Sequence, residues 1–248
     1  PGARNPIPHL HLPQSIAPEH RPPMSSLFDA ILLGLLALLP LINPPTTVAL
    51  FLALSQGFSR EEKNQQALLT ACYVFVIMTL TYYIGEFIMG VFSISIPGLR
   101  IAGGGILCII GGRMLFPAPM PSRESRDEMP ERTSFAFIPL AMPSTAGPGT
   151  IAMIISSAAS IKHSTSFPQW VILVAPPLIF LCTALILWAC LRASDLIMKA
   201  TGKSGIDAIS RLMGFLLVCM GVQFAINGLV EVAQTLINSN AHLLLPQS

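Results

Sequence analysis

The chain has 248 residues, of which 52% are hydrophobic and only 10% are charged, and its formal net charge is +2. An average soluble domain carries about 25% charged residues, so this composition excludes an ordinary soluble protein and predicts an all-α polytopic membrane protein. The basic residues lie in connectors between apolar segments, not on one helix face, and we expect a lipid bilayer as partner and no nucleic acid.

Residues 1–23 are predicted to be a disordered, proline-rich extension that lies outside the fold. Seven of them are proline and three are histidine at irregular spacing, which does not favour a metal site. Met24 resembles a natural start, and the apolar sequence begins shortly after it. We therefore expect the membrane domain to begin at residue 24.

The first predicted span, residues 27–54, is interrupted in its middle by Pro40 and by the sequence Asn43-Pro44-Pro45. Each proline removes a backbone donor and clashes with the preceding turn, so a continuous helix is not expected. Lipid offers no partner to the freed backbone groups. The break must therefore face protein or a wet cavity, where a binding site would lie.

Two further spans, residues 66–92 and 99–116, complete a predicted three-helix repeat over residues 24–116. Glycines recur at seven-residue spacing in the third span, where Gly104 pairs with Gly111 and Gly105 with Gly112. Small residues allow close helix approach in lipid, so these glycines predict helix packing. A charged cytoplasmic loop over residues 117–134 follows the repeat.

Residues 135–237 are predicted to form a second three-helix repeat, followed by a polar tail over 238–248. Its spans cover residues 135–160, 169–191 and 212–232. Pro176-Pro177 predicts a kink in the middle span. The polar stretch 192–210 is expected to be a connector in which Gly202 and Gly205 end any helix.

The two repeats share motifs at their first and third spans. Pro143–Met153 aligns without a gap with Pro40–Leu50. Arg100-x-x-Gly and Arg211-x-x-Gly each open a third span, with a cysteine eight residues after the arginine. Because three spans is an odd number, the second repeat enters the membrane inverted, with spans 1 and 4 broken at mid-membrane. Paired broken spans are the sequence sign of a transporter-type binding site.

The basic residues predict the orientation. Ten lysines and arginines lie after spans one, three and five, against two on the other side when counting starts at Met24. Cytoplasmic loops carry the excess of basic residues, so both termini are expected in the periplasm. Arg100 is an exception, and we interpret it and Arg211 as interface anchors or cap partners.

Three stretches resemble the MarC family (UPF0056) of bacterial inner-membrane proteins: Ile94–Gly104, Pro139–Thr150 and Ile209–Gly214. The likeness runs from Met24 to Glu231. It implies a multi-pass inner-membrane protein of the LysE-superfamily type with paired three-helix halves. A related branch, SnatA, transports small neutral amino acids such as glycine and alanine with ion coupling. The resemblance leaves the substrate open.

The leading functional hypothesis is a secondary transporter or exporter of a small polar solute. Its substrate-binding residues would come from both broken spans, with a polar wall from the sixth: Asn43, Pro44, Pro45, Thr46, Thr47, Ser144, Thr145, Gly147, Pro148, Gly149, Thr150, Gln223 and Asn227. No acid or histidine lies within these motifs, so a zwitterion or neutral solute suits them better than a cation. Half-helix N-termini after Pro45 and Pro148 would hold a carboxylate.

Two alternatives stand beside transport. A non-transporting regulatory or scaffold protein would use the breaks only for packing, with hydroxyls bonded to the kinked backbone. An intramembrane enzyme is not expected, because the sequence lacks His-Glu-x-x-His and Gly-x-Ser-x-Gly. The five cysteines lack metal-ligand spacing, and no cofactor is expected beyond a coupling ion, Na⁺ or H⁺. A homo-oligomer is left open.

Overall fold

The structure is a computed structural model that describes residues 23–117, 134–162 and 169–244, and these ranges contain helices and no β-strand. Most of the predicted N-terminal extension and central loop lies outside the described residues, as do residues 245–248. The helices are α1 (Pro23–Ile42), α2 (Pro44–Leu54), α3 (Arg60–Val91), α4 (Ile96–Leu115), a π-helical segment (Ala136–Thr145), α5 (Pro148–Lys162), α6 (Gln169–Arg192) and α7 (Ser194–Leu244).

Four of these helices, α3, α4, α6 and α7, are long and apolar enough to cross a membrane. The α1–α2 pair, bent by 43°, is a fifth candidate span. Helix α5 is apolar but shorter, and it follows the irregular π-helical segment. The all-helical, multi-span class predicted from composition is confirmed, whereas the six-span inverted repeat stays a prediction.

The first break lies at Asn43, between α1 and α2, as predicted, whereas the interruption predicted at Pro40 is wrong because α1 continues through that residue. Asn43 has φ 49° and ψ 64°, a left-handed conformation that asparagine tolerates better than most residues. The ring of Pro44 disfavours the right-handed helical conformation in the residue that precedes it. The dipeptide Asn43-Pro44 therefore ends α1 at this point, and α2 begins with proline at its first position.

The second break follows the π-helical segment, at Ala146–Gly147. Within that segment Ile138 and Met142 have extended backbone angles, with φ −119° and −134°. Each of these residues precedes a proline, and a proline disfavours the helical conformation in the residue before it. The irregular backbone is thus a local consequence of two X-Pro steps.

Helices α4 and α7 pack against each other along glycines. A Cβ atom on Gly104 would lie 2.4 Å from the Gly221 carbonyl oxygen, and one on Gly111 would lie 2.5 Å from that of Gly214. Because 104 meets 221 and 111 meets 214, the helices run antiparallel. Gly105, on the adjacent face, would meet nothing within 4 Å. The predicted glycine packing is therefore confirmed for the Gly104 stripe, and the neighbouring stripe faces outward.

Helix α6 continues through Pro176-Pro177. A proline leaves the carbonyl four residues earlier without its helical donor. Tyr82 donates its hydroxyl to the carbonyl of Ile172 (3.1 Å), and Tyr83 donates to that of Leu173 (3.0 Å). The two tyrosines of α3 thus supply both missing donors of α6.

Helix α7 includes the stretch that was predicted to be a polar connector. Only Gly202, with φ 68° and ψ 171°, departs from helical geometry, whereas Gly205 lies within the helix. The predicted helix-ending role is thus confirmed at Gly202 and wrong at Gly205.

Candidate functional site

Asn43 places a polar side chain inside the protein at the first break. It is 6% exposed, and its Nδ2 donates to the sulfur of Met114 at 3.2 Å. Its Oδ1 is buried and has no hydrogen-bond partner among the described residues. A buried polar atom without a partner costs about 1–3 kcal/mol. The site therefore holds an acceptor that a ligand could satisfy.

The threonines of both breaks are bonded to backbone carbonyls. Thr47 Oγ1 lies 3.1 Å from the carbonyl oxygens of Ile42 and of Asn43. Thr145 donates to Leu140 at 2.9 Å, and Thr150 donates to Thr145 at 3.3 Å. These hydroxyls satisfy carbonyls beside the interruptions, as expected for broken helices in lipid.

The fold brings the two breaks together. Thr47 and Thr145 are 98 positions apart in the chain, yet their Oγ1 atoms are 3.5 Å apart and both residues are 1% exposed. Each hydroxyl also lies within hydrogen-bond distance of a backbone carbonyl, and when both donate to those carbonyls the two oxygens face each other as acceptors. Such a pair favours a hydrogen-bond donor or a cation between or beside the two oxygens.

The two half-helices offer unequal numbers of backbone donors. The first four N–H groups of a helix have no intrahelical partner, and proline has none to offer. Pro44 and Pro45 open α2, which leaves little donor capacity near its start. Helix α5 begins with a single proline, so Gly149 and Thr150 both carry an N–H there. The start of α5 is therefore the better anion site of the two.

The remaining predicted residues of the breaks lie at the edge of this cluster or support it. Thr46 donates to Ser210 of α7 at 3.1 Å. Gly149 packs against α4, where an added Cβ would lie 2.6 Å from Leu107. Gly147 is buried and its carbonyl accepts from Ile151, whereas Pro148 is exposed. Pro44, Pro45 and Ser144 are half-buried.

Gln223 and Asn227 are not brought to the breaks. Both are exposed on α7, where Gln223 Nε2 donates to Asn227 Oδ1 at 2.9 Å. The predicted polar wall from the sixth span therefore stands apart from the buried cluster. The four-residue spacing that suggested a shared face was correct, but periodicity does not reveal whether that face is turned inward.

Two groups that contact the first break were missed by sequence reasoning. Met114 accepts from Asn43, and Ser210 accepts from Thr46. They belong to the third helices of the two halves, far from the motif in sequence. Ser210 lies in the family-like stretch Ile209–Gly214, but no local pattern linked it or Met114 to the break, because only the packing of α4 and α7 brings them there.

Arg100 joins three helices near the far end of α5. Its guanidinium donates to Ser156 and Ser160 of α5 and forms an ion pair with Glu231 of α7. The Arg100 side chain is 12% exposed and that of Glu231 38%. The expectation of an anchoring role fits this geometry, although Arg211, its sequence counterpart, is exposed.

An apolar cavity of about 310 Å³ lies between α1, α5 and α6. Its lining includes Leu33, Ile154, Val171 and Ile179, and it contains none of the predicted site residues. In the described part of the chain no group of His, Cys, Asp and Glu could hold a metal ion. The polar cluster at the breaks is thus the candidate site.

Comparison with known proteins gives a consistent picture. Residues 28–233 match the profile of "MarC family integral membrane protein". The chain is 59% identical over 219 residues to "UPF0056 inner membrane protein MarC" of Salmonella paratyphi A and of Citrobacter koseri. It is 58% identical to the Escherichia coli O1:K1 protein of the same name. Each alignment covers 86% of this chain and 99% of the relative. No solved structure matches the chain.

Proposed function

The chain belongs to the MarC family of integral membrane proteins, and we propose that it is a secondary transporter or exporter of a small polar solute in the inner membrane. The observation that carries this proposal is the buried, unpartnered Oδ1 of Asn43, at a helix break that contacts a second break. Broken spans from two halves are the usual setting of a transporter's substrate site.

A zwitterion such as a small neutral amino acid fits the chemistry of the cluster. Its ammonium group would donate to Asn43 Oδ1 and to the hydroxyl oxygens of Thr47 and Thr145, which act as acceptors. Its carboxylate would take the N–H groups of Gly149 and Thr150 at the start of α5. A coupling Na⁺ would be held by oxygen atoms, whereas coupling to H⁺ would need a titratable group outside the motifs, since the motifs contain no acid.

We propose the predicted topology with this function: six spans in two inverted three-helix repeats, with periplasmic termini. The antiparallel packing of α4 on α7 supports it, because the third spans of inverted repeats run in opposite directions. The π-helical segment and α5 would together form the fourth span. A reporter fused after Glu231 is expected in the periplasm, and a cytoplasmic reading would refute the orientation.

One observation favours the second candidate, a non-transporting regulatory or scaffold protein. The threonine hydroxyls of the breaks are already bonded to backbone carbonyls, as they would be if the breaks served only packing. The two candidates differ on Asn43, whose free Oδ1 has no role in packing alone. A substitution that removes this oxygen therefore distinguishes the transporter from the scaffold.

Counterflow of labelled glycine and alanine in proteoliposomes tests the proposal. Asn43→Gly removes the amide but keeps the left-handed backbone accessible, and we expect at least about a tenfold loss of flux, the effect of roughly one lost hydrogen bond to a charged group. Ser55→Ala is the matched control, because it removes another buried, unpartnered oxygen at the opposite end of α2. Robust flux that Asn43→Gly leaves unchanged would refute the assignment of the site to Asn43. No flux with a broad solute panel would favour the scaffold.

A further inference from the structure

A polar cavity of about 360 Å³ lies where the ends of α3, α6 and α7 meet. Four cationic side chains line it, namely Arg60, Lys63, Arg192 and Lys199. Among the described residues, Asp195 is the one acidic residue of the lining, and it lies 3.6 Å from Lys63. Four positive charges and one negative charge leave a net charge of +3. The cavity is therefore suited to an anion that accepts several charge-assisted hydrogen bonds, such as a phosphate group.

An apolar groove of about 210 Å³ runs along the same two helices, α3 and α6. In the part of the chain that the structure describes, its lining is apolar and consists of Leu68, Ala71, Cys72, Phe75, Leu181, Ala184, Leu185 and Trp188. Leu68 is one helical turn from Asn64 of the polar cavity, and Trp188 is one turn from Arg192. The groove thus starts about one turn from the cavity and leads away from its charges.

Trp188 and Arg192 mark the junction between the cavity and the groove. The Arg192 guanidinium lies 5.5 Å from the centroid of the Trp188 ring, within cation–π range. Tryptophan is enriched where hydrocarbon meets the polar headgroups. The order along the two helices is thus a cationic cavity, an interfacial tryptophan and an apolar groove. A phospholipid has the same order of phosphate headgroup, glycerol region and acyl chain.

We propose that the cavity and the groove together bind one anionic phospholipid, with its phosphate in the cavity and an acyl chain in the groove. Charge complementarity selects the headgroup, since a zwitterionic lipid brings a cation of its own toward a site of net charge +3. A soluble phosphate would satisfy the cavity but leave the groove without a ligand. This inference does not depend on the transport proposal.

Fluorescence quenching can detect the lipid directly, because the chain contains only two tryptophans. In a Trp170→Phe variant, Trp188 becomes the single tryptophan and reports on the groove. The protein is placed in nanodiscs of phosphatidylcholine with increasing fractions of phosphatidylglycerol, and either lipid carries brominated acyl chains. We expect brominated phosphatidylglycerol to quench Trp188 at a low, saturating fraction, and brominated phosphatidylcholine to quench it only in proportion to its amount.

Two variants test the two parts of the site. Arg60→Gln with Lys199→Gln should raise the half-saturating phosphatidylglycerol fraction by roughly fivefold per charge removed. Cys72→Phe, at an exposed groove position, should raise it by filling the groove. Arg211→Gln is the matched control, because it removes an exposed cation outside the cavity and should change nothing. Circular dichroism and gel filtration verify that each variant is folded.

Several outcomes would overturn the proposal. Equal quenching by both brominated lipids would mean that the groove does not select for charge. A loss in Arg211→Gln as large as in the double variant would mean a diffuse surface effect. A free phosphate would be assigned to the cavity instead if two results occurred together. Glycerol 3-phosphate would displace phosphatidylglycerol at equal concentration, and Cys72→Phe would have the same half-saturating phosphatidylglycerol fraction as wild type.

Discussion

The two breaks resemble each other in sequence but differ in what they leave available. Both have prolines at matched positions, and Thr47 corresponds to Thr150. Asn43, however, corresponds to Ala146, so only the first break adds a side-chain amide, with an acceptor that has no partner. The second break has more backbone donors at the start of its half-helix. The pair thus provides complementary groups, an acceptor from one side and donors from the other.

The breaks also sit at different levels along α4. Asn43 contacts Met114 in the last turn of α4, whereas Gly149 packs on Leu107 in its middle. Seven residues separate these contacts, or about 10 Å along a helix. The two copies of the motif therefore contact α4 at different points and through different residues.

Gly104→Ala should have the largest effect, because α4 and α7 hold both breaks in place. The new Cβ would meet the Gly221 carbonyl oxygen at 2.4 Å, and backbone cannot rotate away from it. We expect a loss of about 3 kcal/mol in stability, seen as a lower Tm in detergent. Gly105→Ala is the control and should be neutral or gain up to about 1 kcal/mol. Equal Tm changes in both variants would contradict the observed helix packing.

Arg100→Gln should have the next largest effect, because α5 is hydrogen-bonded to an ion-paired arginine and no such contact is found for α2 among the described residues. The substitution leaves Glu231 without its partner and removes bonds to Ser156 and Ser160. We expect a loss of about 2 kcal/mol, below the value for a fully buried pair because Glu231 is 38% exposed. Thermal unfolding measures this loss. Arg211→Gln should leave the Tm within one degree of wild type, and a comparable drop there would refute the asymmetry.

Asn43→Ala, compared with Asn43→Gly, distinguishes the effect of the left-handed backbone at the first break from the effect of the lost side-chain amide. Alanine in the left-handed conformation costs about 1–2 kcal/mol, which glycine does not incur. We therefore expect Asn43→Ala to have a lower Tm than Asn43→Gly, with the flux of both reduced. Identical Tm values would mean that the left-handed geometry at residue 43 is not required.

Tyr83→Phe tests whether the tyrosine hydrogen bonds keep α6 continuous at its prolines, so that no third break forms there. Its hydroxyl donates to the carbonyl that Pro177 leaves free, so its loss should cost about 1 kcal/mol. Tyr73→Phe is the control, since its ring packs on Phe137 and no hydrogen bond of its hydroxyl is found in the described chain. Thermal unfolding of both variants provides the measurement. A larger effect at Tyr73 would remove this explanation for the continuity of α6.

Local sequence was sufficient for those features that depend on neighbouring residues. The apolar composition predicted a helical membrane protein, and Asn43-Pro44 predicted the first break, because proline acts on the residue beside it. The glycine spacing predicted close packing, although it could not distinguish the Gly104 stripe from the Gly105 stripe. Both stripes have the same period, and only the partner helix tells them apart.

Tertiary structure decided everything that depends on direction and distance in space. Thr47 and Thr145 meet because the two halves pack together, and Met114 and Ser210 reach the first break from distant helices. Gln223 and Asn227 share a helix face, as their spacing predicted, but the packing of α7 turns that face outward. Periodicity specifies which side chains lie on one face of a helix. The neighbouring helices determine what that face contacts.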